Sequence, residues 1–286
     1  MKVLITGAAG YLGSHLVSEL SNRECCEIIA VDTRKDSIPN GENIKPLLND
    51  ELFKLDSLSV DTVINCAFAR GNKASDLVSA LNYTENLILK LKEFSWKGIV
   101  NISSQGVYKS MSAGEFASEE STIEPGEMYS LAKYAQERLL TSNFPGKITN
   151  VRMASLAGNA RFLVFFVDSM IARKPITVTA PSQTVSIMDV RDAVNGILKI
   201  CDLQFEQRQP VYNLGSGKQY SILEIAQLVR DLGVRNGYPE LVITVEDNGK
   251  CSAAGVKCDR LMQDTRWKTV IGIDTTIEEM LEMRKG

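Results

Sequence analysis

The sequence predicts an α/β fold: a doubly wound parallel sheet followed by a smaller, mixed α/β lobe. Three observations carry this. Strand-like and helix-like apolar patterns alternate through the first half of the chain, as they do when a parallel sheet is covered by helices on both faces. The opening strand breaks directly into a glycine-spaced turn, "TGAAGYLG", and an amphipathic pattern begins there. Past position 157 the alternation weakens, and 157–187 and 235–286 read as the smaller lobe.

The elements follow in order. "KVLIT" (2–6) is a buried strand, and 11–21 a helix with Leu12, Leu16, Val17 and Leu20 on one face. "EIIAVD" (27–32) is the second strand, and 33–43 a polar loop holding Pro39 and Gly41. "DTVINCAFA" (61–69) and "KGIVNISS" (97–104) are further buried strands, with helices at 74–93 and 127–142. "ITNVRMASL" (148–156) is a later strand, and "FLVFFV" (162–167) a strand or a core helix segment. Helices are expected at 190–201 and 221–233, the second opened by Ser221 and Glu224 as a capping box. Residues 1–155, with helix 190–201 packed on them, form the expected dinucleotide domain, and 156–286 mainly a substrate lobe. The active site is expected in the cleft between them.

Composition narrows the function classes. A net charge of -3 shows no basic bias, which argues against a nucleic-acid surface. No apolar run approaches the roughly 20 residues of a membrane helix, and Thr6 and the glycines end the first apolar run too early for a secretory signal. The six cysteines contain no CxxC pair and read as reduced thiols of a cytoplasmic protein. With one His, no metal site is expected.

Gly7, Gly10 and Gly13 lie between a strand and a helix. This spacing permits a sharp strand exit, a close approach of pyrophosphate to the backbone, and tight packing of helix on sheet. The helix start at Tyr11 and Leu12 offers amide N–H groups and a partial positive charge to phosphate. Asp32 ends the second strand nineteen residues past Gly13, where a ribose hydroxyl acceptor is needed. Its carboxylate favours NAD over NADP; Arg34, two residues on, would either neutralise a 2'-phosphate or stack on adenine. His15, at the start of that helix, reads as packed on a neighbour.

The second signal is "YSLAK". Four residues of spacing put Tyr129 and Lys133 on one helix face. A phenol titrates near 10, too high for a base at neutral pH; an ammonium one turn away and an oxidised nicotinamide favour the phenolate. Upstream, "VNISSQGVY" ends a strand at Ser103-Ser104, where a hydroxyl can share the reacting proton.

Together these residues resemble the extended branch of the short-chain dehydrogenase/reductase superfamily, the NAD-dependent epimerase/dehydratase family, along nearly the whole chain. "TGAAGYLG" resembles its cofactor loop on a Rossmann-like sheet, and "DTVINCAFA" its fourth strand, which implies Cys66, Ala67 and Phe68 beneath the cofactor. Asn82 in "ALNYTENL" matches a recurrent Asn on the next helix. "ISSQGVY" matches the catalytic Ser/Thr segment, with Ser104 four before Tyr108 and Gln105 beside the substrate. "VRMASLAG" resembles the segment lining the nicotinamide end, which brings in Ser155; "SIMDVRDAV", "VYNLGSG" and "KCDRLMQDTRW" resemble further family segments. The resemblance implies that Tyr129 removes a proton from a substrate hydroxyl, that Lys133 holds the nicotinamide ribose and tunes Tyr129, and that Ser104 orients the hydroxyl. It also implies a homodimer through the helices carrying Asn82 and Tyr129.

The chain departs from the family in places. The Asp-Glu pair of the dehydratase branch is replaced by Gln105 and Gly106, and no Cys or His stands there for 3,5-epimerising chemistry. The glycine common after "VY" is Lys109. The diphosphate Arg expected seven residues before Asp192 falls on Val185; Lys250 is nearest to the C-terminal one, and Arg161, Arg173 and Arg266 are the other candidates. Bidentate pairing with diphosphate is what Arg supplies. The expected activity is therefore epimerisation of a sugar, a nucleotide sugar at C4, with a ketoreductase of a smaller carbonyl compound as the alternative. A non-catalytic dinucleotide-sensing protein is the third reading, against which the intact Ser104, Tyr129 and Lys133 argue.

Overall fold

The computed structural model describes residues 1–69, 71, 73–249 and 251–284. Six strands come from the first half: β1 (Lys2–Thr6), β2 (Glu27–Asp32), β3 (Ile44–Leu48), β4 (Thr62–Asn65), β5 (Gly98–Ser104) and β6 (Ile148–Met153). With the late strand Val211–Leu214 they make a seven-stranded sheet in the order Val211–Leu214, β6, β5, β4, β1, β2, β3. β1 pairs in parallel with both β2 and β4, so the chain switches direction across the sheet at β1. The crevice outside the carboxyl ends of strands at such a switch is where doubly wound sheets bind ligands.

The helices α1 (Tyr11–Ser21), α2 (Asn49–Phe53), α3 (Ala74–Leu91) and α4 (Met128–Asn143) belong to this part of the chain. Leu12, Leu16, Val17 and Leu20 are buried, as their spacing requires. Leu4, Ile29, Val31, Val63 and Ile99 pack with Leu87, Ile88, Leu91 and Leu140 in one apolar cluster, each such side chain stabilising by roughly 1.5–3 kcal/mol.

The structure departs from the sequence reading at several boundaries. No element is expected between 43 and 61, yet β3 and α2 lie there. β3 reads IKPLL; Pro46 withholds an N–H, and the strand is tolerated because it lies at the sheet edge. β4 stops at Asn65 rather than 69: the next N–H, of Cys66, bonds the Thr6 carbonyl at 3.1 Å, and beyond it the chain runs against Gly7. The expected strand 148–156 splits. β6 ends at Met153, and Ser155–Leu156 pairs in parallel with Ile187–Met188 instead. "FLVFFV" is helical, inside α5 (Arg161–Ile171), with Leu163, Phe166, Val167 and Met170 buried at helical spacing.

The chain divides into two compact units. The first comprises 1–109, 123–152 and 194–212, and the second 110–122, 153–193 and 213–286. α6 (Val190–Asp202) supplies residues to both. The second unit is built on α5, α7 (Ile222–Arg235) and, beyond the short α8 (Asp259–Thr265), α9 (Ile273–Met283). α7 opens on the expected box: Ser221 Oγ accepts from Glu224 N at 3.1 Å, and Ser221 N donates to Glu224 Oε2 at 2.6 Å. Among the described residues, no helix is long and apolar enough to cross a membrane.

Candidate active site

The glycine loop is closed by backbone contact. Gly7 has φ +71°, and a Cβ there would stand 2.7 Å from the Ala67 nitrogen; one on Gly13 would stand 2.1 Å from the Gly7 carbonyl oxygen. A side chain at either position would force the loop off the sheet. Gly10 is the N-cap of α1 and supplies no side-chain cap, so Tyr11 and Leu12 begin a helix whose dipole faces the loop. Two side chains grip the loop at Ala9, one from the last residue of β2 and one from just beyond it. Asp32 Oδ2 accepts from Ala9 N at 3.0 Å and its Oδ1 from Arg34 N at 3.1 Å, while Arg34 Nη2 donates to the Ala9 carbonyl at 3.1 Å. A carboxylate offers about four acceptor positions, so Asp32 retains capacity for ribose hydroxyls while it shapes the loop. His15 Nδ1 lies 2.7 Å from the Tyr11 carbonyl and its ring packs edge-on against Tyr11, as its position suggests. The uncapped helix start, the turn of glycines and alanines and the terminal carboxylate together fit a dinucleotide.

The second group gathers where β4, β5 and α4 meet. Lys133 is buried; its Nζ donates to the Ile102 carbonyl at 2.8 Å and to Gln136 Oε1 at 3.2 Å. The same nitrogen lies 3.9 Å from the centre of the Phe68 ring, and Tyr129 meets that ring edge-on at 5.6 Å between centroids. Phe68, Tyr129 and Lys133 are thus brought together. Cys66, at the end of β4, senses the Lys133 charge, but burial dominates and pushes its thiol up to about 12.

Ser104, at the end of β5, accepts from Gly106 N at 3.1 Å. A Cβ on Gly106 would stand 2.4 Å from Ser130 Oγ, the neighbour of Tyr129, so the turn packs closely on that hydroxyl. Gln105 is buried, and its Oε1 and the Ser103 hydroxyl are buried polar atoms without a hydrogen-bond partner among the described residues.

Other predicted residues lie elsewhere. Asn82 is exposed on α3. The residues of α3 that face inward at that level are Ala80 and Thr84. Ser155 is an exposed residue of the second unit. Val185 is half-buried in the short strand Thr184–Val185; Arg161, Arg173 and Arg266 are exposed, and Lys250 lies outside the described residues. The sequence reading missed Thr84 and Gln136, which continue the bonds of Lys133, and the buried pair of Arg152 with Glu137. Arg152 donates from Nε and Nη2 to the Glu137 carboxylate at 3.0 and 2.8 Å, and from Nη1 to the Tyr108 hydroxyl at 3.1 Å. The available signal was helical spacing: Gln136 and Glu137 stand three and four residues past Lys133.

Comparisons with known proteins bear on the family and the fold. The family model described as the NAD dependent epimerase/dehydratase family matches residues 3–215. A Streptomyces dTDP-4-dehydro-6-deoxy-D-allose reductase is 26% identical, with 79% of each chain covered. The Arabidopsis thaliana UDP-glucuronic acid decarboxylase 6 is 23% identical over 81% of this chain and 74% of its own. Among solved structures, the Thermus thermophilus UDP-glucose 4-epimerase in complex with NAD superposes with a TM-score of 0.83 at 19% identity, covering 100% of this chain and 99% of that one. The Bacillus cereus UDP-glucuronic acid 4-epimerase in complex with UDP-glucuronic acid and NAD gives 0.83 at 19% identity over 99% and 98%. The family match covers most of the chain, which belongs to the NAD dependent epimerase/dehydratase family, whose members are NAD-dependent enzymes.

Proposed function

We propose that this chain is an NAD-dependent epimerase that inverts a nucleotide sugar at C4 through a transient ketone. The observation that carries the reading is the buried Lys133 one helical turn from Tyr129, both against the Phe68 ring, beside a serine turn in which neither Gln105 nor Gly106 carries an acidic group. The glycine loop and Asp32 would hold the pyrophosphate and adenosine ribose of NAD, and Lys133 its nicotinamide ribose. When bound, NAD supplies the acceptor and donor of a hydride. Tyr129, as phenolate, takes the proton of the C4 hydroxyl, and Lys133 favours that charge state. Ser104 orients the same oxygen and donates to it as carbonyl character grows. Tyr129 then returns its proton once the sugar presents its other face.

Elimination of water fits poorly. It needs an acid and a base after Ser104, whereas Gln105 is a neutral amide and Gly106 has no side chain. The nucleotide sugar is supported by the relatives, several of which are named for UDP- or dTDP-linked sugars. A second reading, a ketoreductase, is favoured by Val185, which cannot pair with a diphosphate, and by the reductase among the relatives.

The two readings separate on a panel of UDP- and dTDP-hexoses deuterated at C4. Epimerisation gives the C4 epimer with deuterium retained and no net change in reduced nicotinamide absorbance. Stoichiometric consumption of reduced cofactor with a keto sugar or a smaller ketone, and no epimer, would overturn the proposal.

A further inference from the structure

Lys133 is held from behind by a chain of buried side chains. Its Nζ donates to Gln136 Oε1 at 3.2 Å, Gln136 Nε2 donates to Thr84 Oγ1 at 3.1 Å, and Thr84 donates to the Ala80 carbonyl at 2.8 Å. Gln136 and Thr84 are fully buried. An amide at such a position is costly unless its polar atoms are used, and the inward neighbours Ala132 and Leu140 on α4 are apolar.

The direction of the chain is determined by its ends. Thr84 gives its only proton to Ala80, so toward Gln136 it can only accept. That turns Nε2 toward Thr84 and Oε1 toward Lys133. An ammonium has donors and no acceptor, so it meets the end of the amide that it needs.

We infer that Gln136 is a positioning residue for the proton-transfer pair: a neutral acceptor, oriented through Thr84, that fixes the Lys133 ammonium near Tyr129 without cancelling its charge. This rests on the assignment of Tyr129 as the proton-transfer group. A carboxylate at 136 would hold the lysine equally well but neutralise it, and the field favouring the phenolate would weaken. An aliphatic side chain would remove one acceptor and let the ammonium move. Among the described residues, the titratable and charged groups near Lys133 include Tyr129 one turn back and Glu137 one turn on along its own helix, the latter paired with Arg152, and the Cys66 thiol just past β4. β5 presents the Ile102 carbonyl, the loop after β4 presents the Phe68 ring, and α3 presents the Thr84 hydroxyl through Gln136. The thiol, pushed up to about 12 by burial, stays neutral and supplies no competing negative charge at neutral pH.

The test is a phenolate titration of the purified protein run beside the pH profile of kcat, on the wild type, Gln136→Glu, Gln136→Leu and Thr84→Val. Subtracting the Tyr129→Phe titration isolates one phenol. In Gln136→Glu, that phenol and the kcat profile should both move upward by roughly one pH unit, with KM changed less than about twofold. Gln136→Leu and Thr84→Val should move them in the same direction by less. A lower Tm with an unmoved phenol in Gln136→Glu would make Gln136 a packing residue and overturn the inference. If that variant fails to fold, an unmoved phenol in Thr84→Val overturns it instead. A wild type whose Tyr129 titrates like an ordinary phenol and sets no limb of the kcat profile would overturn the assignment of Tyr129, and this inference with it.

Discussion

The two compact units bury different things. Through the sheet of the first runs a ladder of amides: Thr6 Oγ1 donates to Asn65 Oδ1 at 2.6 Å, Asn65 Nδ2 to Asn101 Oδ1 at 2.9 Å, and Asn101 Nδ2 to Asn150 Oδ1 at 2.9 Å. It crosses β1, β4, β5 and β6, every member is buried, and donation runs one way. Thr6 directly precedes the glycine loop, and Asn65 directly precedes Cys66. The Lys133 chain and the Arg152–Glu137 pair lie in the same unit. In the second unit, α5, α7 and α9 share an apolar cluster of Leu163, Phe166, Val167, Met170, Ile225, Val229, Ile277 and Leu281. Apolar contact is non-directional and supplies stability, whereas a satisfied polar network ties each group to one place. Burial in the first unit therefore fixes position where the candidate site lies, and burial in the second supplies cohesion.

That contrast is broken or sharpened by three comparisons. The largest effect is expected in the second unit, where Leu163→Ala, at a fully buried position, should lower unfolding free energy by about 2–5 kcal/mol. NAD affinity measured well below its melting point should stay unchanged. Asn101→Leu in the first unit should cost less, about 1–3 kcal/mol, since Asn65 and Asn150 each lose a buried partner. It should also weaken NAD binding, because the strand ends around the loop are no longer fixed. Calorimetry and ligand titration on both variants check this, and unchanged NAD affinity in Asn101→Leu would break the contrast.

The smallest effect concerns Asp189, in the second unit. Burial opposes its charge, but hydrogen bonds from the Arg191 side chain and N–H and from the Thr276 hydroxyl outweigh burial and hold the carboxyl below its ordinary range. A lowered folded pKa gives stability that is complete above an unfolded value of about 3.9 and is lost as pH falls through the folded one. Urea midpoints should be flat in this respect from pH 7 to about 5 and fall below about 4. Asp189→Asn should flatten that acid fall; an equally steep fall would remove Asp189 from the account.

The parts of the fold and site legible in the sequence are those governed by local periodicity. α1, β1, β2 and β5 announce themselves as apolar runs or helical stripes, and Tyr129–Lys133 share a face by spacing alone. β3 was illegible because an edge strand needs apolar residues on one side only, and Pro46 imitates a loop. Ser155–Leu156 looked like more of β6 because nothing local records that a strand changes partners. Gln136 and Thr84 were missed because each reads alone as an ordinary polar helix residue. Only their meeting across two helices, fifty-two positions apart, gives them a role.

The most direct test of the central claim, that this chain turns over its substrate on a retained NAD, is the nucleotide content of the purified protein after gel filtration. The account predicts NAD, close to one per chain, with little NADP, because an epimerase restores its cofactor in each cycle and, on the proposed reading, the Asp32 carboxylate would repel a 2'-phosphate. A protein that keeps no nucleotide and binds neither NAD nor NADP on titration would contradict it, beginning with the glycine loop.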